Sequence, residues 1–255
     1  MGGAFTAVAD DASAVFWNPA GLAGGSFFSL VLDRNVLDHD SATLLAIGTP
    51  PLGLSYYRTA TGDLAGSRHW LVAHHAGVTL LHSLADRVAV GATLKLVRGV
   101  VSSGDASVST NTFDTDIGVM TTGAFARLGL SVRNLTGPEF DVPGGGSVRL
   151  DRRVRAGIAV NASRRLVAAA DFDLTTAETA RGEWREAALG VEAHPVGKAW
   201  LRGGVRWNTA DGPAAPVGAL GASVAVYGST QADAQVTFGS SDGNRGWGVG
   251  LRFVF

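Results

Sequence analysis

The sequence holds no cysteine, which rules out a disulfide framework and any thiolate metal site. Its 255 residues contain no run of the roughly 18 consecutive apolar residues that a membrane-crossing helix needs, although 46% are hydrophobic. An excess of charge of one sign is also missing. With 21 Lys and Arg against 22 Asp and Glu, the net charge of −1 leaves no basic footprint for nucleic acid. Proline is sparse, at 8, while the 35 glycines are spread along the chain without a collagen period. Met1 is followed directly by Gly-Gly-Ala-Phe, with neither a basic nor an apolar leader stretch. A secretory leader is therefore expected to have been removed or truncated from this sequence.

Past about residue 25, segments of nine to eleven residues alternate large apolar side chains with small or polar ones. In the final segment, Trp247, Val249, Leu251, Phe253 and Phe255 share one face, and Gly248, Gly250, Arg252 and Val254 the other. Val88, Val90, Leu94 and Leu96 likewise oppose Arg87, Gly91, Thr93 and Lys95. Ala232, Ala234, Val236 and Phe238 oppose Gln231, Asp233, Gln235 and Thr237. Segments 112–120, 126–133, 153–160, 166–174, 186–194 and 198–207 repeat this parity. Together they place Asp114, Asp116, Arg127, Arg133, Arg153, Arg155, Asp171, Asp173, Glu186, Glu192, Arg202 and Arg206 on the polar face. Arg153 and Arg155 precede Asp171 and Asp173 by one strand, so opposite charges are expected to meet across a hairpin. Asp116, Glu192, Arg202 and Arg206 complete the expected charge network of a narrow lumen.

The connections carry a second regularity. Long polar links near 35–40, 60–68, 100–111, 134–147, 175–183 and 208–216 alternate with tight ones near 49–51, 83–86, 122–124, 161–165, 195–198 and 228–230. Short turns at one end and long loops at the other are the topology of an outer-membrane barrel. A soluble sandwich also alternates, but it requires a consistently hydrated outer face. The expectation is an all-β, transmembrane antiparallel barrel of about fourteen strands over residues 26–255, in the bacterial outer membrane and in contact with its lipid.

Residues 1–25 differ, with a short helical pattern and no strand alternation. Asp10 or Asp11 is placed to cap a helix running to about Trp17, and Asn18-Pro19-Ala20-Gly21 is placed to stop it. A compact helical plug in the lumen is expected. The run containing Gly2, Gly3, Ala4, Ala7, Asp10, Asp11, Ala12, Ser13, Asn18, Pro19, Ala20, Gly21 and Leu22 resembles the N-terminal hatch of the FadL/PorV superfamily of outer-membrane proteins. Further family-like phrases start at Asp86, Phe113, Leu128, Arg152 and Leu201. Gly250, Phe253 and Phe255 resemble the C-terminal signal read by the barrel assembly machinery, with Gly248 departing from the usual polar residue. The resemblance implies a fourteen-stranded barrel. It also implies either passage of hydrophobic compounds such as long-chain fatty acids, or a PorV-like scaffold holding a secretion-system protein.

No catalytic or metal constellation emerges, and no cofactor is expected. His74 and His75 are adjacent on a strand and point to opposite faces; His39 and His69 lie near loops, and His82 and His194 near tight turns. Ser131, Ser223 and His75 are available for a barrel phospholipase, but their spacing does not select them. Gly144-Gly145-Gly146 lacks the lysine of a phosphate loop and reads as a loop. Asp10, Asp11 and Asn18 serve equally to anchor the plug or to gate it.

Overall fold

The protein is described by a computed structural model covering residues 1–38, 40–64, 69–163, 165–179, 182–211, 215–239 and 245–255. His39 lies outside the described residues. The chain begins with a short helix, α1 (Ala14–Trp17), and a 3-10 helix (Pro19–Gly24). Then come β1 (Ser29–Leu37), β2 (Asp40–Thr49), β3 (Leu52–Leu64), β4 (His69–Ala85), β5 (Val88–Ser103), β6 (Ala106–Thr122) and β7 (Ala126–Arg133). A small hairpin, β8 (Glu139–Asp141) and β9 (Ser147–Arg149), precedes β10 (Arg153–Ser163) and β11 (Leu166–Asp173). A second hairpin, β12 (Ala177–Thr179) and β13 (Gly182–Trp184), precedes β14 (Glu186–Val196), β15 (Ala199–Asn208), β16 (Val217–Tyr227), β17 (Thr230–Gly239) and β18 (Gly246–Val254). Each of the two hairpins is a two-stranded sheet of its own; the other fourteen strands form one closed antiparallel barrel, sealed by β1 against β18.

Parity explains the wall. On β5, Gly91, Thr93, Lys95, Val97 and Gly99 are buried inward while Leu94 and Leu96 stand out, 61% and 49% exposed. The outward faces of the other strands add Leu54, Val78, Leu130, Leu189, Leu220, Val236 and Trp247 to an apolar band. Phe27, Phe125, Tyr227 and Phe255 are exposed around its short-turn end. A band this continuous exceeds what a soluble surface carries and matches lipid.

Two links expected to be long are tight. Only residues 38–39 separate β1 from β2, and β5 and β6 are joined at Gly104-Asp105, where Gly104 has φ 57°. Apart from that two-residue turn, the stretch 100–111 is strand. Its serines and threonines mark strands that continue beyond the lipid, where the outward face meets water, so polarity there does not signal a turn. β4 and β6 reach 17 residues, more than the 9–11 or so that span a membrane.

Above the membrane band the link after β7 folds back into the barrel. Phe140 of β8 is fully buried against Leu71, Ala73, Val97 and Val101. Gly99 leaves room for its ring, since a Cβ there would lie 2.2 Å from a ring carbon. The C-terminal strand is paired along its length with β1, and Phe255 exchanges backbone hydrogen bonds with Phe28. Its edge is open to another strand only before closure.

Candidate functional site

Residues 1–25 lie against the inner wall, and a belt of inward glycines lets their backbone approach it. A Cβ on Gly204 would lie 2.5 Å from Met1, on Gly129 2.6 Å from the Thr6 carbonyl, and on Gly91 2.5 Å from Pro19. On Gly118 it would lie 2.0 Å from Oδ1 of Asn18. Gly48 and Gly53 receive Leu22 in the same way. Within the segment, Gly2 and Gly3 adopt φ of 62° and 103°, a region that side chains disfavour. Gly21 has another reason to lack a side chain: its Cβ would lie 2.3 Å from the carbonyl oxygen of Ala9.

Side chains then fasten what the glycines admit. Asn18 donates through Nδ2 to the carbonyls of Thr6 (3.0 Å) and Val119 (3.2 Å), and its Oδ1 accepts from the amide of Ala20. α1 ends at Trp17 with Asn18 extended, and Pro19 then opens the 3-10 helix, a position that needs no N–H donor, with the Gly21 amide donating to the Asn18 carbonyl at 2.8 Å. Neither Asp10 nor Asp11 occupies the cap of α1. That position belongs to Ser13, and Asp11 accepts from the Ser13 amide and hydroxyl while pairing with Arg252 at 3.0 Å. Asp10 meets Arg127 at 3.3 Å. Ala20 is buried beside Ala89 and Met120.

Among the described residues, the inward charges of the wall pair with one another in three groups. Lys95 is fully buried between Asp114 and Asp116, 2.6 Å from each, and Asp116 also accepts from the amide of Asn134. Arg155 pairs with Asp173 at 2.6 Å and Glu186 at 3.0 Å, with Arg206 3.9 Å from Glu186. Arg202 joins Glu192 at 2.5 Å and Asp233 at 3.2 Å. Two residues depart from the expected hairpin pairing. Arg153 stands opposite Arg133 in register, and Asp171 accepts the amides of Phe5 and Thr6, both at 2.9 Å. Orphan amides of an irregular segment need an acceptor, and the wall supplies a carboxylate.

A cavity of about 320 Å³ remains between this segment and the wall of β1–β3 and β15–β18. One side is aromatic: Phe16 meets Tyr57 edge-on at 5.3 Å and Trp17 at 5.4 Å, and Trp17 lies 5.5 Å from Phe5. Arg133 caps the far face of this array, its guanidinium 3.8 Å from the Phe16 ring centre. The other side is polar, with Asp33, Asn35, Arg202, Arg206, Asp233 and Gln235. Tyr57 and the aromatic array were not singled out from sequence. The signal was an aromatic at an inward position of β3, where the other described inward residues are Gly53, Ser55, Thr59 and Thr61. His75, also inward, stacks on Tyr57 at 4.1 Å, whereas His74 faces out. Ser131 and Ser223 are inward on separate strands, Ser223 beside Arg202 and Asp233. Among the described residues no group of His, Asp and Glu is placed to hold a metal.

The family model of the F plasmid transfer operon TraF protein matches residues 72–173, well under half of the chain. No curated protein matches it. Among solved structures, the CymD monoaromatic hydrocarbon channel is 13% identical at a TM-score of 0.76, over 98% of this chain and 94% of that one. The Ralstonia pickettii toluene transporter TbuX is 12% identical at 0.71, over 100% and 98%. A Pseudomonas aeruginosa FadL homologue is 12% identical at 0.67, over 99% and 96%. Identities this low speak for architecture alone, and the chain has the fourteen-stranded barrel fold of the FadL-type channels.

Proposed function

We propose that the protein is a passive outer-membrane channel for small hydrophobic compounds, with residues 1–25 as its plug and no enzymatic role. The observation that carries this reading is the cavity between plug and wall, walled by Phe5, Phe16, Trp17 and Tyr57 on one side and by charged and amide groups on the other. Aromatic faces bind flat apolar molecules by offset or edge contacts, and a few polar groups orient them. About 320 Å³ sits at the lower end of the usual range for ligand pockets, roughly 300–1,000 Å³, so compact aromatic solutes fit the site better than long acyl chains. The neighbours named for toluene and monoaromatic hydrocarbons support the same class.

The lipid-facing band supports insertion with the short turns and both described chain ends in the periplasm and the long strands outside. In this reading the last strand is delivered to the assembly machinery before it closes on β1. The test is uptake of toluene and of a long-chain fatty acid by liposomes carrying the purified barrel. Toluene uptake above empty liposomes is the expected result. Equal uptake with and without protein overturns the channel, and a stable protein complex from the envelope without flux points to the secretion-scaffold alternative.

A further inference from the structure

The outward face of the barrel is almost free of charge. Among the described residues of its fourteen strands, three outward side chains are charged: Arg34, Arg58 and Arg98. All are arginines, and all fall in one row. The register aligns Arg34 with Thr43, Thr43 with Arg58, Arg58 with His74, His74 with Arg98, and Arg98 with Asn111. This row crosses β1 to β6 obliquely, toward the end away from the short turns. The outward row directly below it, Leu32, Leu45, Tyr56, Ala76, Leu96 and Phe113, is aligned residue for residue and carries no charge. The row above, Val36, Ser41, Ala60, Val72, Val100 and Ser109, is neutral as well. No acid stands in any of the three.

We infer that this row is a binding site for the phosphate-bearing headgroup of a lipid in the outer leaflet, an inference that rests on the membrane orientation given above. An outward arginine is costly at the bilayer midplane and nearly free at the interface, so these arginines belong at the interfacial edge of the lipid-facing band. Interface placement alone would scatter basic residues around the barrel. Instead they occupy β1, β3 and β5, alternating with Thr43 and His74. Neighbouring strands lie about 4.8 Å apart, so the guanidiniums are spaced at roughly 10 Å and do not oppose one another directly. Arg34 donates to the Thr43 hydroxyl at 2.6 Å, and the Tyr56 hydroxyl shares a hydrogen bond of 2.7 Å with Nδ1 of His74. Among the described residues none of the three arginines makes an ion pair. Planar guanidiniums that lack protein carboxylates, with hydroxyl and imidazole groups between them, are complementary to phosphate oxygens above an apolar tail. Phe113 and Leu96 offer that tail an exposed surface.

The experiment is native mass spectrometry of the folded barrel released from nanodiscs. These contain phosphatidylcholine with a minor fraction of diphosphorylated lipid A, or of the same lipid after phosphatase treatment. Selective retention of the phosphorylated form is expected, unaffected by inorganic phosphate. Each basic residue near a membrane surface contributes about fivefold to anionic-lipid binding, so R58Q/R98Q should weaken retention by about 25-fold. R58K/R98K, which keeps the charges without the planar fork, should restore part of it, and R87Q, in the turn at the opposite end, should leave it unchanged. Equal retention of both lipids, displacement by inorganic phosphate, or wild-type retention by R58Q/R98Q would overturn the site. Solute flux is read on the same nanodisc-competent protein in liposomes. Lipid retention without flux supports the lipid site while the channel reading fails, and failure to insert into bilayers overturns both.

Discussion

Arg252 of the last strand and Asp11 of the N-terminal segment meet at 3.0 Å inside the barrel, with side chains only 17% and 8% exposed. The pair joins the closing strand to the segment beneath the lumen, and Arg252 also lies 3.8 Å from Asp233. R252Q leaves the Asp11 carboxylate enclosed without its cation. Loss of one partner of a buried pair costs about 3–5 kcal/mol, and less here because both groups keep some solvent. The expected outcome is a folded barrel whose residues 1–25 become sensitive to protease and whose conductance in planar bilayers rises. Protease resistance and conductance equal to wild type would show that Arg252 does not hold the segment.

The glycine belt makes a sharper demand. G118V places carbon where Asn18 now sits, and G91V places it where Pro19 sits, so either variant must expel the segment or deform the wall. Both are expected to keep the strand signal in circular dichroism while losing protection of residues 1–25. G203A is the control, because its new methyl would meet only Leu220 at an ordinary 3.5 Å. Belt variants that behave like G203A would mean the segment does not rest on the wall as described.

What was legible in the sequence follows from what is local. Side-chain parity depends on neighbours two residues away, so Leu94 and Leu96 could be set against Thr93 and Lys95 without knowing any partner. The charge groups were legible as inward, and Arg155 with Asp173 even as a cross-strand pair, because one hairpin brings them together. The hydrogen bond from the Phe5 amide to Asp171 joins residues 166 positions apart. No local pattern distinguishes that carboxylate from Asp173, so Asp171 read as another member of the ion-pair network. Gly91 read as a small residue of the polar face for the same reason: the backbone it admits, at Pro19 and Ala20, belongs to the distant N-terminal segment. Phe140 was hidden inside a polar link, although the inward apolar face of β5 at Val97, Gly99 and Val101 called for a cover.

Lys95 offers a test of what the upper charge group contributes. It is enclosed with Asp114 and Asp116, and Thr136 donates to Asp114 through its amide and hydroxyl, which ties the link after β7 to the wall. K95M leaves two buried carboxylates facing one another and is expected to destabilise the barrel by about 3–5 kcal/mol. K95M/D114N/D116N removes the charges together and should recover most of that loss. Urea unfolding in detergent micelles measures both. A triple variant as unstable as K95M would assign the loss to packing and not to charge.

The aromatic side of the cavity predicts how the proposed solute is held. W17L keeps apolar volume in the segment but removes the ring that meets Phe5 and Phe16 at about 5.5 Å. Aromatic pairs contribute about 0.5–1.5 kcal/mol beyond the area they bury, so binding of a flat aromatic molecule should weaken by about threefold to tenfold. Binding of a saturated ring of similar size should hardly change, because it gains burial without the directional ring contact. Titration of fluorobenzene and fluorocyclohexane into the detergent-solubilised barrel, followed by fluorine NMR, separates the two. Parallel losses for both ligands would indicate a collapsed cavity, and no loss for either would place the solute away from Trp17.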